Sequence, residues 1–259
     1  MGQRRIAITN RKGGCGKTAC AVNISAGLAL KDRKVLLIDC DSQAHASISL
    51  GFSPYDVDMS LYDLLTDNHN DIRQAIKPAK WPPGLFLIPA TPQLAAFEMD
   101  SRQDSEIRGL LAKMLLTQKN AEFDYIIIDQ PPTVGLLNLM SLISVREAII
   151  PVQTTFLSME GLAAMVRFIY QINATVNPDL KITGIIPTFY NRSTRLSHEV
   201  HLEMEKNFGK DLVLPPIRQN VSIAEAPGFG ECIFKYASNS IGTSDYRALV
   251  DIIDEGPAK

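Results

Sequence analysis

The chain has 259 residues, 46% of them hydrophobic and 21% charged, with a formal net charge of −2. That is ordinary globular composition with ample residues for one large core. It excludes the globally basic field that advertises nucleic acid, while leaving room for a local basic patch.

Arg5–Asn10, "RIAITN", predicts a short strand that runs into a glycine-rich loop. Thr18–Leu30 follows with helix formers and small residues at helical spacing, and Lys34–Asp39, "KVLLID", is a continuous aliphatic run of strand length. Leu85–Pro89 predicts a strand, Gln93–Asp100 a helix, Ile107–Gln118 an amphipathic helix and Asp124–Asp129, "DYIIID", a strand. Ala148–Gln153 predicts another buried strand, whose Pro151 lacks an N–H and marks a strand end. Met159–Val176 and Ser197–Phe208 predict helices around the strand Lys181–Thr188, and Thr243–Asp254 the closing helix. The proline-rich "KPAKWPPG" at 77–84 reads as a surface turn.

Strands buried on both faces and separated by helices predict an α/β fold. The expected form is a doubly wound, mostly parallel sheet flanked by helices, with residues 1–259 as a single domain. Ligands in such sheets bind at the carboxyl ends of the strands. Asn10, Asp39, Asp129 and Gln153 all end predicted strands, so they are expected to converge on one crevice. The four cysteines, at 15, 20, 40 and 232, form no CxxC pair and predict reduced thiols rather than a zinc site. The polar N-terminus predicts no signal peptide, and no apolar run approaches the ~20 residues that span a bilayer. A cytoplasmic protein without membrane contact is expected.

The loop "ITNRKGGCGKT" carries the chemistry. Glycines 13, 14 and 16 let the backbone curl into an anion nest, and the helix that starts near Lys17 adds its positive end. In a phosphate-binding loop Lys17 reaches the β- and γ-phosphates and the Thr18 hydroxyl ligates Mg²⁺. The usual template places glycine five residues before Gly16, where this chain has Arg11, followed by a second lysine, Lys12. Asp39 and Asp41, in "DCDSQ", leave a strand end together; one is placed to position an attacking water and the other to support the metal. Asp129 ends an aliphatic strand as a Walker B carboxylate does. His198 and His201 lie three apart on a predicted helix, and with no Cys or carboxylate completing a site they read as surface residues.

These segments, together with "DQPP" (129–132), "PVQTTFLSMEGL" (151–162), "PTFYNRSTRLSHEV" (187–200) and "NVSIAEAPGFG" (220–230), resemble the ParA/MinD family of deviant-Walker ATPases, on its Soj-like ParA branch. The resemblance spans nearly the whole chain, and "KGGCGKT" is its most specific part. It implies an ATP-sandwich dimer in which Lys12 crosses to the partner's nucleotide while Lys17 acts in cis. Gly13, Gly14, Cys15, Gly16 and Thr18 would complete the ATP site. Asp41 would position the hydrolytic water, and Thr18, Asp41 and Asp129 would serve Mg²⁺. Asn191 and Pro216 are the implied base contacts.

The resemblance further implies an ATP-gated homodimer that binds nucleoid DNA without sequence preference and is stimulated by a ParB-like or other cargo-linked activator. Candidate DNA contacts are Arg192, Arg195, Lys206, Lys210, Arg218 and Lys235. The family's usual arginine before a threonine is Ser193 here, and the basic residue usual after "NV" is Ser222, so the DNA surface is redistributed or weakened. Gln130 stands where many relatives have cysteine. Chromosome, plasmid and protein-cluster cargoes all stay open. The alternative reading, a MinD-like membrane-cycling regulator, needs a basic amphipathic tail, whereas "VDIIDEGPAK" is short, acidic and broken by Gly256-Pro257. An iron–sulfur ATPase of the nitrogenase type leaves Cys232 without a companion.

Overall fold

The computed structural model describes residues 2–67, 71–100, 107–117 and 123–256. Gln118, the expected end of one helix, and the tail 257–259 lie outside them. In chain order the elements are β1 (Arg4–Ile8), α1 (Lys17–Ala29), β2 (Val35–Asp39), α2 (His45–Ser49), α3 (Leu61–Thr66) and α4 (Ile72–Ala75). Next come β3 (Lys77–Pro78), β4 (Leu85–Ile88), α5 (Leu94–Asp100), α6 (Leu110–Thr117), β5 (Tyr125–Asp129) and α7 (Leu136–Ser144). The chain continues through β6 (Glu147–Gln153), α8 (Phe156–Thr175), β7 (Lys181–Thr188) and α9 (Arg195–Phe208). It closes with α10 (Val221–Glu225), α11 (Ile233–Tyr236) and α12 (Ile241–Glu255).

The strands form one seven-stranded sheet in the order β3-β4-β2-β5-β1-β6-β7. Every pairing is parallel except that of β3, which runs antiparallel along the edge. The stretch expected to be a plain turn at 77–84 thus contributes an edge strand, a place where Pro78 is tolerated. Alternate side chains of the central strands enter two separate cores. Ala7, Leu36, Ile38, Ile126 and Ile128 meet α3 and α5 through α9. Ile6, Ile8, Val35, Leu37 and Ile127 meet α1, α2, α11 and α12. The unbroken aliphatic runs of β2 and β5 before their terminal aspartates follow from helices on both faces.

Pro151 sits inside β6 rather than at its end, paired with Ile186 of β7. Its other flank explains why. β1 pairs with β6 only as far as Ile149, and the Pro151 carbonyl on that side accepts from Asn10 Nδ2 at 2.7 Å. The missing N–H therefore faces a gap where no ladder bond is owed.

Candidate functional site

Strand register gathers the carboxylates. Asp129 lies opposite both Ile8 and Asp39 at the carboxyl ends of β5, β1 and β2. The glycine loop arches over these ends and is tied down by its neighbours. Gln153 Nε2 donates to the Gly14 carbonyl at 2.8 Å and the Thr188 hydroxyl to the Cys15 carbonyl at 2.9 Å. Asn10 Oδ1 accepts from the Lys12 N–H at 3.0 Å. Gly14 and Gly16 have φ of 69° and 88°, a left-handed backbone that favours glycine. With the Gly14 and Cys15 carbonyls held by these neighbours, the N–H groups of Gly13, Gly14 and Gly16 make no backbone hydrogen bond among the described residues. They form a ready anion nest at the start of α1.

Lys17 is buried, and its ammonium donates to the Lys12 carbonyl at 3.2 Å. The Cys15 thiol donates to the same carbonyl, and burial pushes that thiol above its ordinary range. Lys12 lies partly exposed at the rim, with its ammonium donating to Ser158 Oγ at 3.2 Å.

The two strand-end aspartates diverge from the expected pair. Asp39 turns inward: Oδ1 accepts from the Asp41 N–H, while Oδ2 accepts from the Ser47 N–H and hydroxyl at 2.8 and 2.7 Å. Its carboxylate holds the 39–47 loop. Asp41 sits nearer the surface, with Oδ1 accepting from the Gln43 N–H at 3.0 Å. Asp129 is fully buried, and neither of its oxygens has a hydrogen bond of ordinary geometry. Burial, then the Asp39 charge, push its carboxyl well above the usual range, while nearby Thr18 and Lys17 pull the other way. Among the described residues no cluster of three His, Cys, Asp or Glu side chains forms a metal cage. A buried carboxylate without partners beside a threonine hydroxyl fits a cation whose other ligands come from phosphate and water.

Next to the nest lies an apolar cleft of about 420 Å³, lined by Gly16, Ala19, Thr188, Phe189, Gln219, Ile223 and Tyr246 among others. Phe189 turns at φ 52° directly after β7 and remains half exposed, an aromatic face available to a flat ring. Asn191 and Pro216 do not line this cleft. The Asn191 side chain accepts from the N–H and hydroxyl of Ser193, and Pro216 lies one residue short of the lining Ile217. Nothing in the sequence around Gln219 marks it as a cleft residue. Phe189 carried a signal, an aromatic just past a strand's carboxyl end.

The six candidate DNA cations divide in two. Arg192, Lys206 and Lys210 are exposed and make no ion pair among the described residues. Arg195 pairs with Glu199 at 2.6 Å and Lys235 with Glu231 at 2.7 Å. Arg218 is forked onto Asp245 and lines the apolar cleft, so it faces the nest side rather than an open cationic surface. His201 stacks edge-on against Tyr190, a packing role.

A family model described as an AAA domain matches residues 3–182. The chromosome partitioning protein ParA of Myxococcus xanthus is 36% identical over 95% of this chain and 86% of its own length. The sporulation initiation inhibitor protein Soj of Bacillus subtilis is 37% identical, over 94% and 95%. The chain belongs to the ParA/Soj family of partition ATPases. Solved relatives share the fold over almost their whole length. A Mycobacterium smegmatis cobyrinic acid a,c-diamide synthase, with bound ATP analogue and magnesium, superposes with a TM-score of 0.81 at 29% identity, covering 96% of this chain and 93% of that one. A Borrelia burgdorferi plasmid partition protein bound to AMPPNP gives 0.81 at 25%, covering 98% and 99%. For this ParA/Soj member, the sheet order and the glycine loop are those of a P-loop NTPase. Among the described residues no helix is long and apolar enough to cross a membrane.

Proposed function

We propose that the chain, acting as a single ATPase domain, is an ATP-hydrolysing switch of the partition type, with ATP and Mg²⁺ as cofactors. The observation that carries this reading is the pair of lysines on one loop: Lys17 buried inside the nest, Lys12 at its rim. Lys17 would pair with the β- and γ-phosphates of its own nucleotide, leaving the Lys12 carbonyl as it does so. Lys12 would reach the phosphates of a second copy, where its charge offsets that of the transferring phosphoryl group as an arginine finger does. The base would enter the cleft at Phe189, with Asn191 and Pro216 supporting the cleft wall from outside. Mg²⁺, held by the Thr18 hydroxyl and served by Asp129, would neutralise the β- and γ-oxygens. Asp41, near the rim, would orient the attacking water.

Closure of two such copies would join their exposed cations into one face. Non-specific DNA binding then needs only phosphate contacts, and Arg192, Lys206 and Lys210 are free to make them. A cargo-linked, ParB-like activator would speed hydrolysis and release the nucleoid-associated dimer. The test is an electrophoretic DNA-retention assay with ATP. Lys17→Ala and Lys12→Ala should each abolish ATP-dependent retention, the first by losing nucleotide and the second with nucleotide still bound. Unchanged retention in either variant refutes the switch.

A further inference from the structure

The Lys12 side chain is not loose at the rim. Its ammonium donates to Ser158 Oγ at 3.2 Å, across 146 residues of sequence. Ser158 is only 3% exposed, its N–H donates to the Thr155 carbonyl at 3.0 Å, and its hydroxyl lies 2.6 Å from that of Thr155. The acceptor is therefore held in place by the first turn of α8. The same turn presents Phe156 and Leu157, which are 74% and 73% exposed. One short segment thus joins a fixed lysine partner to the apolar side chains nearest it.

Chemistry ranks the acceptors open to Lys12. A neutral hydroxyl is a weaker acceptor for an ammonium than an anionic phosphate oxygen. It is strong enough, in a half-buried place, to set where the side chain rests. The main chain adds a link, because the Lys12 carbonyl accepts from Lys17 Nζ at 3.2 Å. When Lys17 moves to phosphate, one restraint on the Lys12 peptide disappears.

We infer that Ser158 is a positioning residue for Lys12: it keeps the ammonium on its own subunit until a second, nucleotide-loaded copy offers a phosphate in exchange. This rests on the reading of Lys12 as acting across the dimer. In a two-fold dimer both lysines must exchange, so the cost enters twice and sets the protein concentration at which ATP closes the pair. Loss of the hydroxyl weakens the resting state alone, because the closed state no longer uses it.

Sedimentation velocity with ATP and Mg²⁺, across a protein dilution series, tests this. Ser158→Ala should close at a roughly tenfold lower protein concentration, the effect of removing one modest hydrogen bond from each half of the dimer. Ser158→Thr, which keeps the hydroxyl, should follow the wild type. Thr155→Val, which frees the Ser158 hydroxyl to rotate, should fall between and guards against a folding defect in Ser158→Ala. Hydrolysis should shift to lower protein concentration with turnover per dimer unchanged. Lys12→Ala should not close, and adding Ser158→Ala to it should change nothing. An unshifted or raised midpoint in Ser158→Ala, with Lys12→Ala still open, overturns the Ser158 role alone. Normal closure of Lys12→Ala overturns the reading beneath it.

Discussion

Asp39 and Asp129 lie side by side in register at the ends of β2 and β5, yet only Asp39 has its oxygens hydrogen-bonded. Their substitutions should therefore separate stability from activity. Asp39→Ala strips the buried N–H of Ser47 and its hydroxyl of their acceptor and should cost roughly 3 kcal/mol in urea denaturation. Asp129→Asn removes a buried charge without partners, so the fold should be as stable or more so, while phosphate release with Mg²⁺ and ATP should vanish. An Asp129→Asn protein that still hydrolyses ATP would show that its carboxylate does not serve the metal.

The same pair predicts a pH slope. Burial pushes Asp39 up to about 6, and burial and then the Asp39 charge push Asp129 well above the usual carboxylate range. Unfolded aspartates titrate near ~3.9. Between those values the folded chain binds more protons than the unfolded one, so stability falls as pH rises from about 4 through about 6. Asp129, raised in the same direction by burial and the Asp39 charge, adds to the decline. Melting temperatures from pH 4 to 8 should show this, and Mg²⁺ with ATP should flatten the decline by placing positive charge at Asp129. In Asp129→Asn the decline should be shallower.

Much of this site is legible in the residues alone. Strand ends show because a sheet covered on both faces writes each strand as an unbroken aliphatic run, as in β2 and β5. The loop shows because phosphate binding demands fixed residue types at fixed spacing. Leu136–Ser144 is not legible as a helix: "LLNLMSLIS" is a nine-residue, mostly apolar and buried run, too short to be told from a buried strand by its pattern alone. Helices α2, α4, α10 and α11, at 5, 4, 5 and 4 residues, are too short to display any period. The apolar cleft stays hidden because segments near residues 16, 188, 219 and 246 meet only in the fold. Ser158 is hidden for the same reason, since nothing local to α8 names Lys12 as its partner.

Close packing of α1 on α12 yields a third prediction. A Cβ on Gly27 would lie 2.6 Å from Val250 Cγ2 and 3.0 Å from Phe234 Cζ. Alanine is the better helix former by ~1 kcal/mol, but overpacking a dense core costs typically 1–3 kcal/mol. The clash should win, and Gly27→Ala should lose about 1 kcal/mol or more in urea denaturation. Val250→Ala should recover part of that loss, giving a double variant more stable than the two single losses added together. Strict additivity would place the strain elsewhere.

The divided cations give the last prediction, measured as the salt dependence of DNA binding by the ATP-closed protein. Each cation that neutralises a DNA phosphate adds about 1 to the slope of log affinity against log salt. Arg192→Ala and Lys210→Ala, which remove exposed and unpaired charges, should each reduce the slope by that amount, whatever the DNA sequence. Arg218 is already forked onto Asp245 beside the apolar cleft. Arg218→Ala should leave the slope unchanged and instead raise the ATP concentration needed for binding, because it loosens the cleft wall. A lowered slope in Arg218→Ala, with its ATP requirement unaltered, would move the DNA face onto the cleft and away from the segment around Arg192.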